Sequence, residues 1–273
     1  MSTIVRAIII TWLLVANASA LAEDIIIFAT APTHSREATQ KAYTPLVDYL
    51  NKATGKQFRI EIPFNFLTYS SKMRQGHYDM VFDGPHYTSW RMVSLNYTPI
   101  VRFPGEIRIV VATKKDSRFN SIEELETAHV CAFAPPNMLT MAFLSHYPNP
   151  ITQPTLVRNQ GFKKLLECIQ KDRGDAVVFR DKLWGKLSDE EKAELKLLKM
   201  ETRGYPDRTF SVGPKISDEL RQQITDALMS EEGLKASEGV RALFKKPNFI
   251  LARSEEYTGL ESLLANTWGF QTK

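Results

Sequence analysis

Residues 79–90 read DMVFDGPHYTSW. An apolar strand end, Val81-Phe82, runs straight into Asp83-Gly84-Pro85-His86, and the aromatic-rich stretch from Tyr87 to Trp90 begins a helix. Turn-forming residues between a buried strand and a helix mark a corner. In open α/β sheets, ligands bind outside the carboxyl ends of the strands. There a new helix presents unpaired backbone N–H groups and the positive end of its dipole. The corner therefore puts polar and aromatic side chains at the rim of a sheet.

Working outward, Ile25 to Thr30 reads as a strand, followed by the turn Ala31-Pro32-Thr33-His34. A helix is predicted over 36–53, where Ala38, Ala42, Leu46, Leu50 and Ala53 keep helical spacing before the stop signal Gly55. Residues 58–64 alternate as a strand, 68–74 read as a short helix ended by Gly76, and 80–82 are the next strand. This β-α-β-α-β-α order predicts a largely parallel sheet covered by helices. A second set follows the strand 107–113. It comprises a helix opened by the capping box Ser121-Ile122-Glu123-Glu124, then segments 129–133, 138–145, 155–158, 162–171 and 175–179. Ser188 and Glu191 open a charged helix over 189–196, and 197–202 and 209–212 are the last strands. Helices over 217–229, 231–244 and 255–267 complete the chain. Two α/β sets predict two lobes: 23–104 in the first, 105–208 in the second, and 209–273 returning to the first. The crossings, Phe103 to Ile107 and Gly204 to Arg208, each carry Pro and Gly beside a strand, which suits a hinge.

The 273 residues are 43% hydrophobic and 24% charged, an ordinary globular composition. The formal charge of +4 is spread along the chain; pairs such as Lys114-Lys115 and Lys245-Lys246 read as solvated surface, and no nucleic-acid partner is expected. Arg6 is the only charge before Glu23, Ile8 to Val15 form a short apolar run, and Ala20-Leu21-Ala22 supplies small residues. These features predict a secretory signal peptide over 1–22, cleaved near Ala22, because the run falls short of the roughly 20 residues a span needs. Export permits a disulfide between Cys131 and Cys168, and two buried thiols fit equally well. Two cysteines with no Cys/His spacing argue against a structural zinc site.

Polar corners recur at Ala31-Pro32-Thr33-His34, Asp83 to His86, Ala134-Pro135-Pro136-Asn137 and Phe179-Arg180-Asp181, two in each lobe. That recurrence predicts a cleft between the lobes. Each element also has an ordinary role. Asp83 fits an Asx cap, His86 a structural histidine, and Arg180-Asp181 a local ion pair. Tyr87 and Trp90 share a helix face that suits core as well as pocket.

Five stretches, FATAPTHS, YTPLVDYLNKATG, MRQGHYDMVFDGPHY, IVVATKKDSRFNSIEELETAHVCAF and DAVVFRD, are spread along the chain from Phe28 to Asp181. In this order they resemble the periplasmic solute-binding components of phosphate/phosphonate-type ABC transporters, a branch of the type II periplasmic binding proteins. The resemblance implies an α/β fold of two lobes, with mixed, mostly parallel sheets flanked by helices and a ligand cleft between them. It further implies a periplasmic protein, without cofactor or metal, that closes on a small solute and delivers it to an inner-membrane permease. A monomer is the expectation for such a carrier. Phosphonate-binding members usually carry a Ser-Thr-Ser type run at the second-lobe helix start, whose hydroxyls and N–H groups hold the oxyanion. Here Pro135-Pro136-Asn137-Met138-Leu139-Thr140 stands there, Phe66 stands where the first lobe usually has Tyr, and Arg180-Asp181 replaces an Asp-Asp run. The implied ligand set is Thr33, His34, Phe66, Asp83, His86, Tyr87, Asn137, Met138, Thr140, Arg180 and Asp181. An Asp beside aromatic faces suits a cation and Arg180 an oxyanion, so a small zwitterion or substituted anion is expected rather than free phosphate or a simple phosphonate.

Two other functions share parts of this pattern. A ligand sensor of the same fold would report to a membrane histidine kinase, and fold alone does not separate it from a transporter component. An exported enzyme needs a nucleophile with a base, a carboxylate pair or a metal site. The sequence has no Gly-x-Ser-x-Gly elbow and no His-Glu-x-x-His, and its five histidines are scattered, so no enzyme is expected.

Overall fold

The computed structural model describes residues 25–267 and Phe270; the predicted signal peptide lies outside them. The first lobe opens with β1 (Ile26–Thr30), α1 (Arg36–Thr54), β2 (Phe58–Glu61), α2 (Phe66–Arg74), β3 (Met80–Asp83), α3 (Pro85–Leu95) and β4 (Thr98–Arg102). After β5 (Glu106–Ile107) the second lobe holds β6 (Ile109–Lys114), β7 (His129–Phe133), α4 (Met138–Leu144), β8 (Thr155–Asn159), α5 (Phe162–Gln170), β9 (Ala176–Arg180) and β10 (Leu195–Met200). The chain returns through β11 (Tyr205–Pro206), β12 (Thr209–Val212) and β13 (Ile250–Leu251).

The first sheet has the order β13-β4-β12-β3-β1-β2 and the second β10-β6-β9-β7-β8. β1 pairs in parallel with β2 and β3, and β7 with β8 and β9, which sends their carboxyl ends to one edge of each sheet. The returning β12 runs antiparallel between β3 and β4, setting Thr209 opposite Asp83. β5 and β11 form a two-stranded antiparallel ribbon pairing Tyr205 with Ile107. The two predicted crossings thus lie side by side.

Local chemistry accounts for the elements. The Ser35 side chain accepts from the Ala38 N–H to start α1, and Gly55 at φ 66 ends it. The stripe Ala42, Tyr43, Leu46 and Leu50 is buried in the first-lobe core with Phe28, Phe58 and Phe82. Each such large side chain contributes about 1.5–3 kcal/mol of hydrophobic stabilisation. Close packing continues at Gly239, where a Cβ would come within 2.9 Å of the Ala42 Cα. In the second lobe, Cys131 on β7 and Cys168 on α5 form a disulfide with S–S 2.04 Å, which decides between the two readings of these residues. Gly174 permits it, because a Cβ there would stand 2.6 Å from the Cys131 Sγ.

Several expectations are corrected. The strand Thr98–Arg102 escapes the sequence reading because Pro99 breaks its pattern; the sheet accommodates it with a register shift opposite Phe210/Ser211. The helix expected after Ser121 is a single 3-10 turn, Glu123–Leu125. The charged helix ends at Ala193, although its Ser188/Glu191 capping box forms as expected. The helix expected over 231–244 divides into Glu231–Ala236 and Glu238–Phe244 at buried Ser237, whose hydroxyl bonds back to the Leu234 carbonyl. The helix expected over 255–267 is two 3-10 pieces, Ser254–Tyr257 and Leu260–Leu264, separated by Gly259 at φ 80. The second piece touches both lobes: Leu260 and Leu263 join the second-lobe core, while Leu264 packs with Tyr87 and Trp90.

Candidate functional site

The corner after β3 is built around a buried charge. Arg91 on α3 donates to both Asp83 oxygens at 2.8 and 2.7 Å, and both side chains are fully buried. Tyr69 donates to the same carboxylate, and Ser211 accepts from Arg91 at 3.1 Å. Burial of Arg91 works against its charge, and Asp83 more than restores it, raising the guanidinium above its ordinary range. Asp83 thus fastens α3 to the sheet from beneath.

His86, in the first turn of α3, reaches the other lobe. Its Nε2 lies 3.0 Å from the Pro136 carbonyl, so the neutral ring donates across the cleft. Burial lowers its pKa to about 4, despite the opposing charge of Asp83. Its Nδ1 is buried and has no partner among the described residues.

Apart from the Pro136 carbonyl, the second-lobe corner turns its side chains back on its own backbone. Asn137 Oδ1 accepts from the Leu139 N–H at 3.0 Å, and the Thr140 hydroxyl donates to the Phe133 carbonyl at 2.8 Å. Pro135 and Pro136 bring no N–H.

Between the two corners lies a cavity of about 230 Å³ with walls from both lobes. That is below the roughly 300–1,000 Å³ of drug-sized sites and suits a small solute. Of the residues predicted for the site, Thr33, Phe66, His86, Tyr87, Asn137, Met138 and Arg180 line it. His34, Asp83, Thr140 and Asp181 do not. His34 packs edge-on against Phe244, and burial, then the Arg208 charge, lowers its pKa. Asp181 faces Arg108, with its Oδ1 accepting from the Arg108 backbone N–H at 3.4 Å. The lining also includes Ile107, Asp207, Arg208, Phe244 and Lys246, which the sequence reading passes over.

Lys246 corrects the assignment of Lys245-Lys246 to solvated surface. Its side chain is 6% exposed and its Nζ is 2.5 Å from Asp207 Oδ2. The carboxylate oxygen lacks hydrogen-bond geometry there, so the contact acts as charge pairing. Burial opposes the Asp207 charge, yet Lys246, the Arg208 backbone N–H and Arg180 hold its pKa below the ordinary value. Arg180 Nη2 stands 3.8 Å from the same carboxylate, and its buried Nε and Nη2 have no hydrogen-bond partner among the described residues. The Arg208 guanidinium stacks 4.4 Å over the Phe244 ring. A larger hollow of about 610 Å³, lined by Lys114, Leu166, Glu190 and Leu195 among others, belongs to the second lobe alone.

Two sheets joined by a short two-stranded ribbon, with a cavity lined by charged residues between them, form a two-lobed α/β architecture. The sequence matches the family described as "ABC transporter, phosphonate, periplasmic substrate-binding protein" over residues 28–257, and the chain belongs to that family. Comparison with curated proteins found no significant match. Among solved structures, PhnD1 from Prochlorococcus marinus in complex with methylphosphonate is 14% identical with TM-score 0.64, covering 89% of this chain and 97% of that one. XAC2383 from Xanthomonas citri bound to ATP is 12% identical with TM-score 0.68, covering 88% and 96%. A binding protein component of an ABC phosphonate transporter from Pseudomonas aeruginosa is 13% identical with TM-score 0.58, covering 88% and 85%. At these identities the likeness establishes the fold. The family makes the chain the periplasmic substrate-binding component of a phosphonate-type ABC transporter. Nothing in the comparisons points to a sensor kinase as partner. No helix among the described residues is long and apolar enough to cross a membrane.

Proposed function

We propose that the chain captures a small organic anion between its lobes and carries it, as a monomer and without turnover, to an inner-membrane permease. The observation behind this reading is Arg180. A guanidinium whose buried Nε and Nη2 lack hydrogen-bond partners among the described residues, lining a cavity between the two sheets, favours an anionic guest. The zwitterion expected from sequence loses its support, because Asp83 is occupied by Arg91 and Asp207 by Lys246. Closure is ascribed to the crossings at 103–107 and 204–208, with 23–104 and 105–208 as the moving bodies and 209–273 returning mainly to the first. Export follows cleavage near Ala22, which N-terminal sequencing of the secreted protein checks.

Native mass spectrometry of protein purified from its own periplasm, followed by calorimetric titration after ligand removal, tests the reading. A bound organic anion recovered unchanged supports it. Preferential binding of a neutral or cationic solute, or its conversion to product, overturns it.

A further inference from the structure

His86 is held firmly where it meets the second lobe. Pro85 fixes φ at the first position of α3, and the imidazole that follows is buried. The ring lies against Gly84, where a Cβ would stand 2.9 Å from His86 Cε1. Tyr87 lies against it too, with ring centroids 4.2 Å apart. From this seat Nε2 meets the Pro136 carbonyl at 3.0 Å, and both residues line the cavity. The bond therefore runs from the corner of one sheet to the corner of the other beside the solute space, and parting the lobes breaks it.

The chemistry of the pair sets its protonation. A carbonyl only accepts, so Nε2 carries the hydrogen, and in the neutral ring Nδ1 keeps a lone pair. A proton added at Nδ1 creates a second donor where no partner stands among the described residues. Burial is the largest influence against that charge, and Arg208 and Arg91 repel it. Asp83 attracts it, but both Asp83 oxygens are already taken by Arg91. Tyr87 stays a neutral phenol, because burial raises its pKa. The other charges of the cavity, Arg180, Asp207 and Lys246, pair around the Asp207 carboxylate. From the second lobe, Pro135, Pro136 and Asn137 bring no titratable group. Once the lobes part, water solvates the ring and the penalty of burial falls away.

Resting on the carrier reading, we infer that His86 is a positioning residue for capture, a latch that holds the cleft closed through its bond to Pro136 and lets the lobes part when its ring is protonated. It acts on the lobes, whatever the guest, and so on release more than on capture. The closed protein keeps the ring neutral and the open protein accepts the proton. Closure is therefore fully supported above pH 6.5 and loses support as the pH falls towards 4. With the solvated ring titrating near 6.5, the ratio of open to closed protein should rise about thirty-fold between pH 8 and pH 5.

Single-molecule energy transfer on the ligand-stripped protein tests the latch. Dyes at Phe64→Cys and Gln160→Cys, exposed positions beyond the carboxyl ends of the edge strands β2 and β8, report the separation of the lobes. Circular dichroism confirms the fold at each pH. The protein with native His86 should be compact at pH 8 and show a growing wider population from pH 6.5 to pH 5. His86→Gln keeps a donor that does not titrate and should stay compact over that range, whereas His86→Ala should be wide throughout. Should His86→Ala misfold, the pH series with and without His86→Gln still decides. If His86→Gln widens in acid as native His86 does, the proton acts elsewhere. If His86→Ala is as compact as native His86 at pH 8, other contacts hold the lobes. Either result, or a native His86 protein already wide at pH 8, overturns the latch and leaves the carrier reading standing. A separation that changes with neither pH nor variant also overturns the latch, and the carrier reading is then decided by native mass spectrometry alone.

Discussion

The two strand-end corners that face each other across the cleft use their polar residues in opposite ways. In the first lobe, Asp83 turns inward to a fully buried Arg91, and the adjacent His86 reaches outward to the other lobe. In the second, Asn137 and Thr140 both turn back on their own backbone. One corner is held by a buried charge pair; the other bonds its side chains to its own backbone, meets His86 only through the Pro136 carbonyl, and belongs to a lobe that carries the Cys131–Cys168 disulfide. Polar residues at strand ends serve architecture first. The charged residues that line the cavity come instead from the end of β9, from the chain after β11 and from Lys246.

The contrast can be broken at its strongest point. Asp83→Ala strands the Arg91 charge in the core and is expected to cost about 3–5 kcal/mol in denaturant unfolding. Replacing both partners with apolar residues of similar volume should restore much of that loss; if the single and double variants are equally unstable, the ion pair is not what fastens α3.

The disulfide closes a loop across a sequence separation of 37. Removing it with Cys131→Ala and Cys168→Ala should cost about 2–4 kcal/mol. Hydrogen exchange should increase in β7 and α5 ahead of the first lobe. A uniform increase over both lobes would deny the second lobe its separate fastening.

His86 gives the contrast a pH dependence. The folded protein keeps it neutral down to about pH 4, whereas the unfolded chain takes up the proton near 6.5. Its stabilising effect is therefore full above pH 6.5 and declines as the pH falls towards 4. By linkage the loss at pH 5 is about 2 kcal/mol. Urea midpoints of wild type and His86→Asn across pH 5–8 should converge at the acid end. Parallel curves would mean that His86 titrates normally.

The smallest effect belongs to the second-lobe corner. Asn137→Ala removes the cap of α4 and should cost about 1 kcal/mol in thermal unfolding. Because that side chain already bonds to Leu139, ligand affinity should change little. A large loss of affinity would return α4 to the binding site.

The corner at 83–86 was legible because Gly-Pro ends a buried apolar strand, and parallel strands end at the edge where ligands bind. The same signal located Thr33, His86, Asn137 and Arg180 near the cleft. Lys246 escaped it because it follows the helix Glu238–Phe244, and Asp207 and Arg208 escaped it for a geometric reason. The signal marks only the carboxyl ends of parallel strands, but β12 is antiparallel and sets its beginning at that same edge, with Thr209 opposite Asp83. A charged Asp-Arg pair immediately before a strand was the available clue. Asp83 lies outside the cavity lining, because Arg91, eight residues further on, folds back onto it from α3.

By itself, the sequence determined the alternation of strands and helices, the two α/β sets, the crossings between them and the family to which the chain belongs. The elements and crossings follow from local periodicity and short-range turn chemistry, and the family from the match over residues 28–257. Only the tertiary structure decided which charges are paired within the protein, that the two cysteines pair, and that Arg180 and Arg208 line one cavity. Those outcomes depend on partners far apart in the chain, and the fate of a buried charge is set by the partner it meets.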